Sequence, residues 1–285
     1  MKKPLTAAAL AAATLLSPLG AQAQTAADAD NWKFSVMPYL WLPSINASLN
    51  YGQPSAGGAA AKVETNPDSY LDSLDFAMMI AGTARKGRWV MGTDVIYLHF
   101  SDMESTVKSV GINPGQGPIN ISTSSLNAGT NADIKGLVWT TTGGYSVILE
   151  PKANVDLIGG FRYLDLDTKT TWNLTAAVTG SGPSGATAAF ARSGSVDKNE
   201  NIWAGIVGVR GRFNFGDSNW FANGYVDVGG SSSVFTWQGV AGVGYAFKWG
   251  DVILDYRYLY YSQDEGKLID NMNFGGLALG ANFRF

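Results

Sequence analysis

The sequence predicts an all-β protein, a single antiparallel up-and-down β-barrel of about ten strands, within a range of about eight to twelve. Three observations lead to this fold. Long segments alternate large apolar residues with small or polar ones, which is the two-residue period of a β-strand. The chain has 35 Gly and 12% aromatic residues but only 15% charged residues, a composition suited to twisted strands and short turns. Short and long connections alternate along the chain, as in a barrel whose neighbouring strands run in opposite directions.

Ten alternating segments follow one another in chain order. They are 32–50, 74–85, 88–101, 134–149, 153–167, 202–215, 220–228, 234–248, 251–261 and 273–285. Tight turns follow the second, fourth, sixth and eighth strands, whereas polar loops at 51–73, 102–132 and 168–197 lie at the opposite end. Pro38 has no N–H for the ladder, so we expect a bulge or an irregular stretch in the first strand.

The turn at 249–250 predicts a register for the strands on either side of it. Pairing across this turn places Asp255 opposite Gly244 and Arg257 opposite Gly242. Two large charged side chains then face two residues that have none. We therefore expect these glycines to make room for an internal Asp–Arg network.

The first residues have the three parts of a secretory signal peptide. A basic start precedes a short apolar run, and an Ala-Gln-Ala cleavage site follows at 21–23. We predict a signal peptide at 1–23, a flexible tail at 24–31 and the barrel at 32–285. No later segment has the roughly 18 consecutive apolar residues that indicate a membrane-spanning helix.

Composition argues against several classes of function. The net charge is −3 and no block of Lys and Arg occurs, which argues against nucleic acid as a partner. The chain has no Cys, so disulfides and thiolate metal sites are impossible. We expect no cofactor and no metal.

The two faces of the strands indicate that the apolar face contacts lipid. A soluble, lipocalin-like barrel is the alternative, but it would need a charged exterior rich in Lys and Glu, and the strand centres carry Arg and Asp instead. Arg and Asp suit ion pairs in a confined space, because a planar guanidinium binds a carboxylate through two bonds. We therefore predict a polar network in the lumen formed by Asp75, Arg85, Asp94, Asp156, Arg162, Arg210, Arg212, Asp227, Asp255, Arg257 and Arg284. Trp and Tyr near the strand ends suit the two interfaces of a membrane.

The last strand ends on an aromatic residue and has an apolar residue at every second position. Its apolar face consists of Leu277, Leu279, Ala281, Phe283 and Phe285. With the signal peptide and the alternating strands, this terminus resembles Gram-negative outer-membrane β-barrel proteins. The resemblance implies that these five residues are read by the barrel-assembly machinery, and that outer-membrane lipid and lipopolysaccharide surround the barrel. The segments 37–41, 74–77 and 84–89 resemble small, uncharacterised proteobacterial barrel proteins, a likeness that carries no activity with it.

Function is less clearly indicated than fold. Barrels of eight strands are filled by side chains, and open channels have about 16–18, so a ten-stranded lumen lies between the two. We predict a non-enzymatic, monomeric outer-membrane protein that is either structural or a narrow passive pore for small solutes. One alternative is a surface-exposed binding module that acts through long extracellular loops. Another is an outer-membrane hydrolase that uses His99, the one His, at the rim with Asp72, Asp75 or Asp102. His99 falls on the lipid-facing side unless a bulge intervenes, which favours an ordinary rim residue.

Overall fold

The computed structural model describes residues 31–50, 60–104, 129–179, 187–264 and 269–285. The predicted signal peptide and nearly all of the predicted tail lie outside these ranges, so both remain predictions. The described strands are β1 (Lys33–Asn50), β2 (Ala60–Thr65), β3 (Leu74–Lys86), β4 (Trp89–Glu104), β5 (Gly129–Leu149), β6 (Ala153–Thr179), β7 (Thr187–Asn214), β8 (Trp220–Ser231), β9 (Val234–Ala246), β10 (Gly250–Gln263) and β11 (Ile269–Arg284). A short helix α1 (Pro67–Tyr70) and a 3₁₀ turn (Leu71–Ser73) precede β3. Across the described ranges, no helix is both long and apolar enough to cross a membrane.

Ten of these strands close into a barrel. Each strand from β3 to β11 pairs antiparallel with its neighbour in sequence, and β11 returns to pair with β1. β1 completes the wall by pairing with β3. In the described part of the chain, β2 pairs with the far end of β1 and with no other strand, so it does not belong to the wall. The predicted ten-stranded, antiparallel up-and-down barrel is confirmed.

Several strands continue beyond their predicted ends. β6 runs to Thr179 and β7 begins at Thr187, and the two remain paired in one register over their full length. The alternation of large apolar residues ends near Asp167, which is why the prediction stopped there. Beyond that point the strands are rich in Thr, Ser and Ala, so backbone pairing continues without an apolar face. The predicted loop at 51–73 likewise contains β2 and α1.

The register between β9 and β10 differs from the predicted one by two residues. Asp255 lies opposite Gly242, and Gly244 lies opposite Ile253. Arg257 lies opposite Val240, so the predicted pairings of Asp255 with Gly244 and of Arg257 with Gly242 were both wrong. A shift of two residues keeps every side chain on its own face, so the inward and outward faces of these strands are still as predicted.

Pro38 marks the end of a ladder rather than a bulge. The register between β1 and β11 is the same on both sides of it, from Val36↔Phe283 to Tyr39↔Gly280. The ladder between β1 and β3 ends at Pro38↔Ile80. Of the two expected features, a bulge or an irregular stretch, the structure has the second, because the missing N–H lets one neighbouring strand separate while the other keeps its register.

The outer surface of the wall is apolar between two aromatic girdles. Near the tight turns, Trp89 packs edge-on against Tyr145 with 5.2 Å between ring centroids. At the other end, Tyr163 packs against Trp203 at 4.6 Å. Between the girdles, the exposed apolar residues include Val36, Met78, Ile80, Met91, Val207, Val209, Leu254 and Leu279. Short turns face the periplasm and long loops face outwards in membrane barrels, so the two girdles mark the periplasmic and extracellular interfaces.

The chain forms a closed ten-stranded barrel with an apolar outer face, which is the arrangement of barrels that cross a membrane with their strands. Its last strand presents Leu277, Leu279, Phe283 and Phe285 on the exposed outer face. Ala278 and Gly280, which alternate with them, are buried on the inner side. The alternation of large and small residues along β11 is therefore sufficient to predict which of its side chains face outwards and which face inwards.

Candidate functional site

The lumen is polar at its periplasmic end. Inward-facing side chains surround a cavity of about 330 Å³. Apart from Asp75, the residues of the predicted network lie on this inner side. Arg284 is at the periplasmic mouth, and the others are at the cavity or directly above it: Arg85, Asp94, Asp156, Arg162, Arg210, Arg212, Asp227, Asp255 and Arg257. Most of them are held in ion pairs between strands that are distant in sequence. The lumen therefore ties the wall together across its diameter.

Asp156 is the centre of one cluster in the cavity. Arg85 donates to its carboxylate at 2.6 Å, Arg210 donates at 2.9 Å, and the Ser146 hydroxyl donates at 2.6 Å. Asp156 itself is 1% exposed. Two guanidinium groups and a hydroxyl replace the water that such a buried carboxylate loses. The sequence did not single out Ser146, because a single Ser on an inward face gives no distinctive signal.

Asp251 forms a second cluster, at the periplasmic mouth, which the sequence prediction missed. It accepts hydrogen bonds from Arg212 at 3.1 Å, from Asn282 at 3.2 Å and from Arg284. Asp251 was assigned to the edge of a turn and was not considered further. Asp251 and Asp255 are four residues apart on one strand and therefore lie on the same face. This spacing could have identified Asp251 as an inward-facing residue.

An ion pair between β6 and β8 lies deeper in the lumen. Arg162 Nη2 donates to Asp227 Oδ2 at 2.5 Å, and both side chains are 0% exposed. The hydroxyl oxygens of Thr140 and Thr236 each accept a further hydrogen bond from Arg162, at 3.2 Å. The charge of Arg162 is paired, and the two threonine hydroxyls bind two further N–H groups, which offsets part of the cost of burying this arginine.

Arg257 on β10 crosses the lumen at the same depth. It donates to Asp94 on β4 at 2.5 Å, to the Tyr39 hydroxyl at 2.8 Å and to Gln238 at 3.0 Å. Its guanidinium also lies 5.1 Å from the centroid of the Trp41 ring. We call this level, with the Arg162–Asp227 pair, the ion-pair layer. It separates the cavity from the extracellular half of the lumen.

Asp255 depends on the absence of a side chain at Gly242. A Cβ at Gly242 would lie 2.0 Å from Asp255 Oδ1 and 2.3 Å from the Leu254 carbonyl oxygen. Asn223 donates to the same carboxylate at 2.8 Å. Gly244 makes room for something else, because a Cβ there would lie 2.2 Å from the Phe221 ring. The space for the acidic residue is therefore provided by Gly242 rather than by the predicted Gly244.

Replacement of Gly242 by Ala is expected to destabilise the barrel by about 1–3 kcal/mol, because the new methyl group overlaps a carboxylate and a backbone carbonyl. Urea-induced unfolding, followed by Trp fluorescence, measures the change. The matched control is Gly143→Ala, since a Cβ at Gly143 meets no atom within 4 Å. Equal midpoints for the two variants would contradict the close contact at Gly242.

Above the ion-pair layer, the lumen is filled by apolar side chains. Its inward-facing core, which we call the apolar plug, comprises Trp41, Met79, Ile96, Val138, Leu164, Ile202, Leu259, Tyr261, Ile269 and Met272. Leu259, Tyr261 and Ile269 are each 0% exposed. At the extracellular side, Gln263 caps the plug by donating to Glu200 at 2.8 Å and accepting from the Ile269 amide at 3.0 Å. The sequence prediction of a polar lumen holds for the periplasmic half alone.

The wall opens between β1 and β3 beside this plug, beyond Pro38. The gap is closed by side chains instead of a ladder. The Trp41 amide donates to the Met79 sulfur at 3.1 Å, and the Tyr70 hydroxyl from α1 donates to the Pro43 carbonyl at 2.8 Å. These contacts satisfy backbone groups that the ladder would otherwise have paired. They explain why α1 packs against the barrel.

Asp75 is on the outer surface, so its predicted place in the lumen was wrong. The β3–β4 ladder shifts register between Leu74 and Phe76, which makes Asp75 the extra residue of a bulge. The bulge reverses the side on which Asp75 emerges. Its carboxylate accepts a hydrogen bond from the Ser101 hydroxyl and lies 3.9 Å from His99 Nδ1. The expected rim position of His99 is matched by its location just beyond the extracellular girdle, opposite Phe76.

Other predicted partners of His99 differ in their placement. Among the described residues, no group of three or more His, Cys, Asp and Glu side chains could hold a metal ion. Asp72 lies in the 3₁₀ turn before β3, and the structure gives it no contact with His99. The side chain of Asp102 lies outside the described residues.

Comparison with known proteins shows likeness at the level of fold. No family model and no curated protein matches the chain. The outer membrane protease OmpT from Escherichia coli is similar over 90% of this chain and 97% of that chain, with a TM-score of 0.49 and 10% identity. Ail, the attachment invasion locus protein of Yersinia pestis, covers 90% and 99%, with a TM-score of 0.33 and 11% identity. The P. putida toluene transporter TodX covers 90% of each chain, with a TM-score of 0.28 and 12% identity.

Proposed function

We propose that this chain is a monomeric, non-conducting barrel with a structural role in the outer membrane. The observation that carries the proposal is the apolar plug, which fills the extracellular half of the lumen. Leu259 and Tyr261 expose none of their surface, and Leu164 exposes 2%. Water does not reach these side chains, so they do not line a wet path. Of the two predicted roles, structural protein and narrow pore, the plug favours the first.

The energetics of ion passage support the same choice. A hydrated ion entering from the periplasm would meet the ion-pair layer first and the plug second. Breaking the Arg257–Asp94 contact leaves the buried Arg257 guanidinium without its carboxylate, and the mainly apolar plug offers few polar groups to replace lost water. Apolar constrictions exclude water and ions even where they are not completely packed. In this respect the barrel behaves like the filled barrels of eight strands.

The route to the membrane is part of the proposal. Residues 1–23 direct export, and the barrel-assembly machinery reads the apolar face of β11 during insertion. The outward exposure of Leu277, Leu279, Phe283 and Phe285 supports this, because an incoming strand presents that face to lipid. Outer-membrane lipid and lipopolysaccharide then surround the wall between the girdles.

A second candidate is a surface-exposed binding module. β6 and β7 continue in register from the extracellular girdle at Tyr163↔Trp203 to Thr179↔Thr187. This extension measures ~50 Å along the strand, and β5 joins it as far as Gly129↔Asn173. A paired sheet that projects beyond the membrane presents a large surface to partners outside the cell. The extension supports a binding role that operates alongside a closed lumen.

Planar lipid bilayers test the proposed function directly. We expect folded wild-type protein to produce no discrete conductance steps, because the plug and the ion-pair layer together block the lumen. Folding of the same preparation is checked by its faster migration on an unheated gel. Reproducible single-channel steps from the folded wild-type protein would overturn the proposal and support the narrow pore.

A further inference from the structure

Three side chains with complementary chemistry meet on the lipid-facing side of the wall, outside the lumen and independent of the proposed structural role. His99 Nδ1 lies 3.9 Å from Asp75 Oδ2, and the Ser101 hydroxyl donates a hydrogen bond to the same carboxylate. The Asp75 side chain is 52% exposed and that of His99 is 28% exposed. The Asp75 carboxylate thus lies beside both the imidazole and the hydroxyl, on a face that is open to surrounding lipid.

Two irregularities in the wall produce this cluster. His99 and Ser101 are two residues apart on β4, so they project from one face about 6.6 Å apart along the strand. Asp75 would face the lumen in a regular β3, and the bulge between Leu74 and Phe76 turns it outwards. The ladder between β4 and β5 also shifts register directly after Phe100. Bulges redirect single side chains and release backbone N–H groups from the regular ladder.

The height of the cluster identifies the part of the membrane that it contacts. Phe76, which lies opposite His99, packs on the outer face against Tyr97, which is two residues nearer the membrane centre, with 5.9 Å between ring centroids. Aromatic girdles of this kind lie at the boundary between the hydrocarbon core and the headgroups. That boundary also contains the ester bonds that join acyl chains to the polar part of a lipid. The three side chains therefore lie at the height at which carboxylic esters of outer-leaflet lipids are expected.

We propose that Asp75, His99 and Ser101 form a hydrolytic site for carboxylic esters of lipids in the outer leaflet. Ser101 is the nucleophile and His99 is the general acid and base. Asp75 is a positioning residue, which holds the imidazole through Nδ1 and leaves Nε2 free to accept a proton. In the resting arrangement Ser101 donates to Asp75, and rotation about its Cα–Cβ bond turns the hydroxyl towards His99. His99 Nδ1 lies 3.9 Å from Asp75 Oδ2, which is longer than a hydrogen bond, so the proposed mechanism requires this contact to shorten when substrate binds.

The reaction consumes one water and needs no other co-reactant. Ser101 Oγ bonds to the ester carbonyl carbon as its proton passes to His99 Nε2. The tetrahedral intermediate then breaks the bond to the alcohol oxygen, which takes that proton from His99 and leaves. Water attacks the acyl-serine, gives a proton to His99 and releases the fatty acid, and His99 returns the proton to Ser101.

The test measures fatty acid released by refolded protein from two kinds of vesicle, one of phosphatidylethanolamine and phosphatidylglycerol and one containing lipopolysaccharide. We expect release from at least one kind, and loss of about 100-fold or more in both Ser101→Ala and His99→Ala. Thr93→Ala, on the same outer face of β4, is the matched control and should retain wild-type release. Asp75→Asn should lower kcat with little change in KM. Asp75→Glu, which keeps the carboxylate, should have a kcat between those of Asp75→Asn and the wild type.

A covalent probe provides an independent measurement. A fluorophosphonate should label Ser101 in the folded wild-type protein and fail to label it in His99→Ala, with the modified peptide identified by mass spectrometry. Release of no fatty acid from either vesicle, or release that persists in Ser101→Ala, would overturn the site. Neither result changes the conductance expected of the closed lumen, so the two proposals fail separately.

Discussion

Replacement of Asp227 by Ala is expected to destabilise the folded barrel by about 3–5 kcal/mol, because it leaves the Arg162 guanidinium buried without its carboxylate. The two groups are joined at 2.5 Å and neither side chain is exposed. The hydroxyls of Thr140 and Thr236 would still accept hydrogen bonds, but neither carries a charge. The loss therefore consists mainly of desolvation that is no longer compensated.

Urea-induced unfolding in lipid vesicles measures this loss. A second readout is the fraction of unheated protein that migrates as the faster, folded band on a gel, which should fall in the variant. Lys152→Ala is the matched control, since its contact with Asp217 spans 3.6 Å between side chains that are 62% and 100% exposed. Breaking that surface pair should leave the transition unchanged. The double variant Arg162→Met with Asp227→Leu should recover most of the stability, because it removes both charges at once. If Asp227→Ala were as stable as the wild type, the predicted loss would be wrong, and Arg162 would have to find another counterion.

The fold was predictable from the sequence because a barrel wall has one dominant regularity. Alternation assigns each residue to one of two faces, and charged residues on one face identify it as the inside when the other face is apolar. The register between neighbouring strands was harder to predict from the sequence. The turn before β10 was placed wrongly, yet the error was two residues, and Asp255 and Arg257 stayed on the inner face.

Asp75 shows where alternation fails. Asp75 is two residues before Ala77 and four before Met79, both of which face inwards, so strict alternation along β3 placed Asp75 in the lumen. One extra residue in β3 reverses that assignment. A bulge depends on how neighbouring strands fit together, and nothing in the sequence of β3 alone specifies it. His99 and Ser101 became a candidate site with Asp75 only when the strands were paired.

The apolar plug was missed for a different reason. Inward-facing Asp and Arg residues defined the inside of the barrel, and apolar residues on the same parity were not given separate weight. β10 contains the information, since Asp255 and Arg257 are followed on the same face by Leu259 and Tyr261. The inner face thus changes from charged to apolar along one strand. Only the closed barrel shows that several strands make this change at the same height.

The last prediction concerns water access along the lumen, and the chain is well suited to it because it has no Cys. We expect a thiol at position 259 to react at least about 100-fold more slowly with a small maleimide than a thiol at position 83, since only an exposed thiolate is attacked. Thr83 lines the periplasmic cavity, whereas Leu259 is 0% exposed within the plug. The variants are Leu259→Cys and Thr83→Cys in otherwise unchanged protein.

Both variants should migrate as folded barrels before labelling, and both should react fully after heating in detergent. Equal rates in the folded state would mean that water passes the plug, and the proposed closed lumen would then be wrong. Slow labelling at position 259 with fast labelling at position 83 places the barrier above the cavity. The ion-pair layer lies between the two positions, with Arg257 two residues before Leu259 on the same face. An Arg257→Ala variant that leaves position 259 slow would show that the plug alone excludes water.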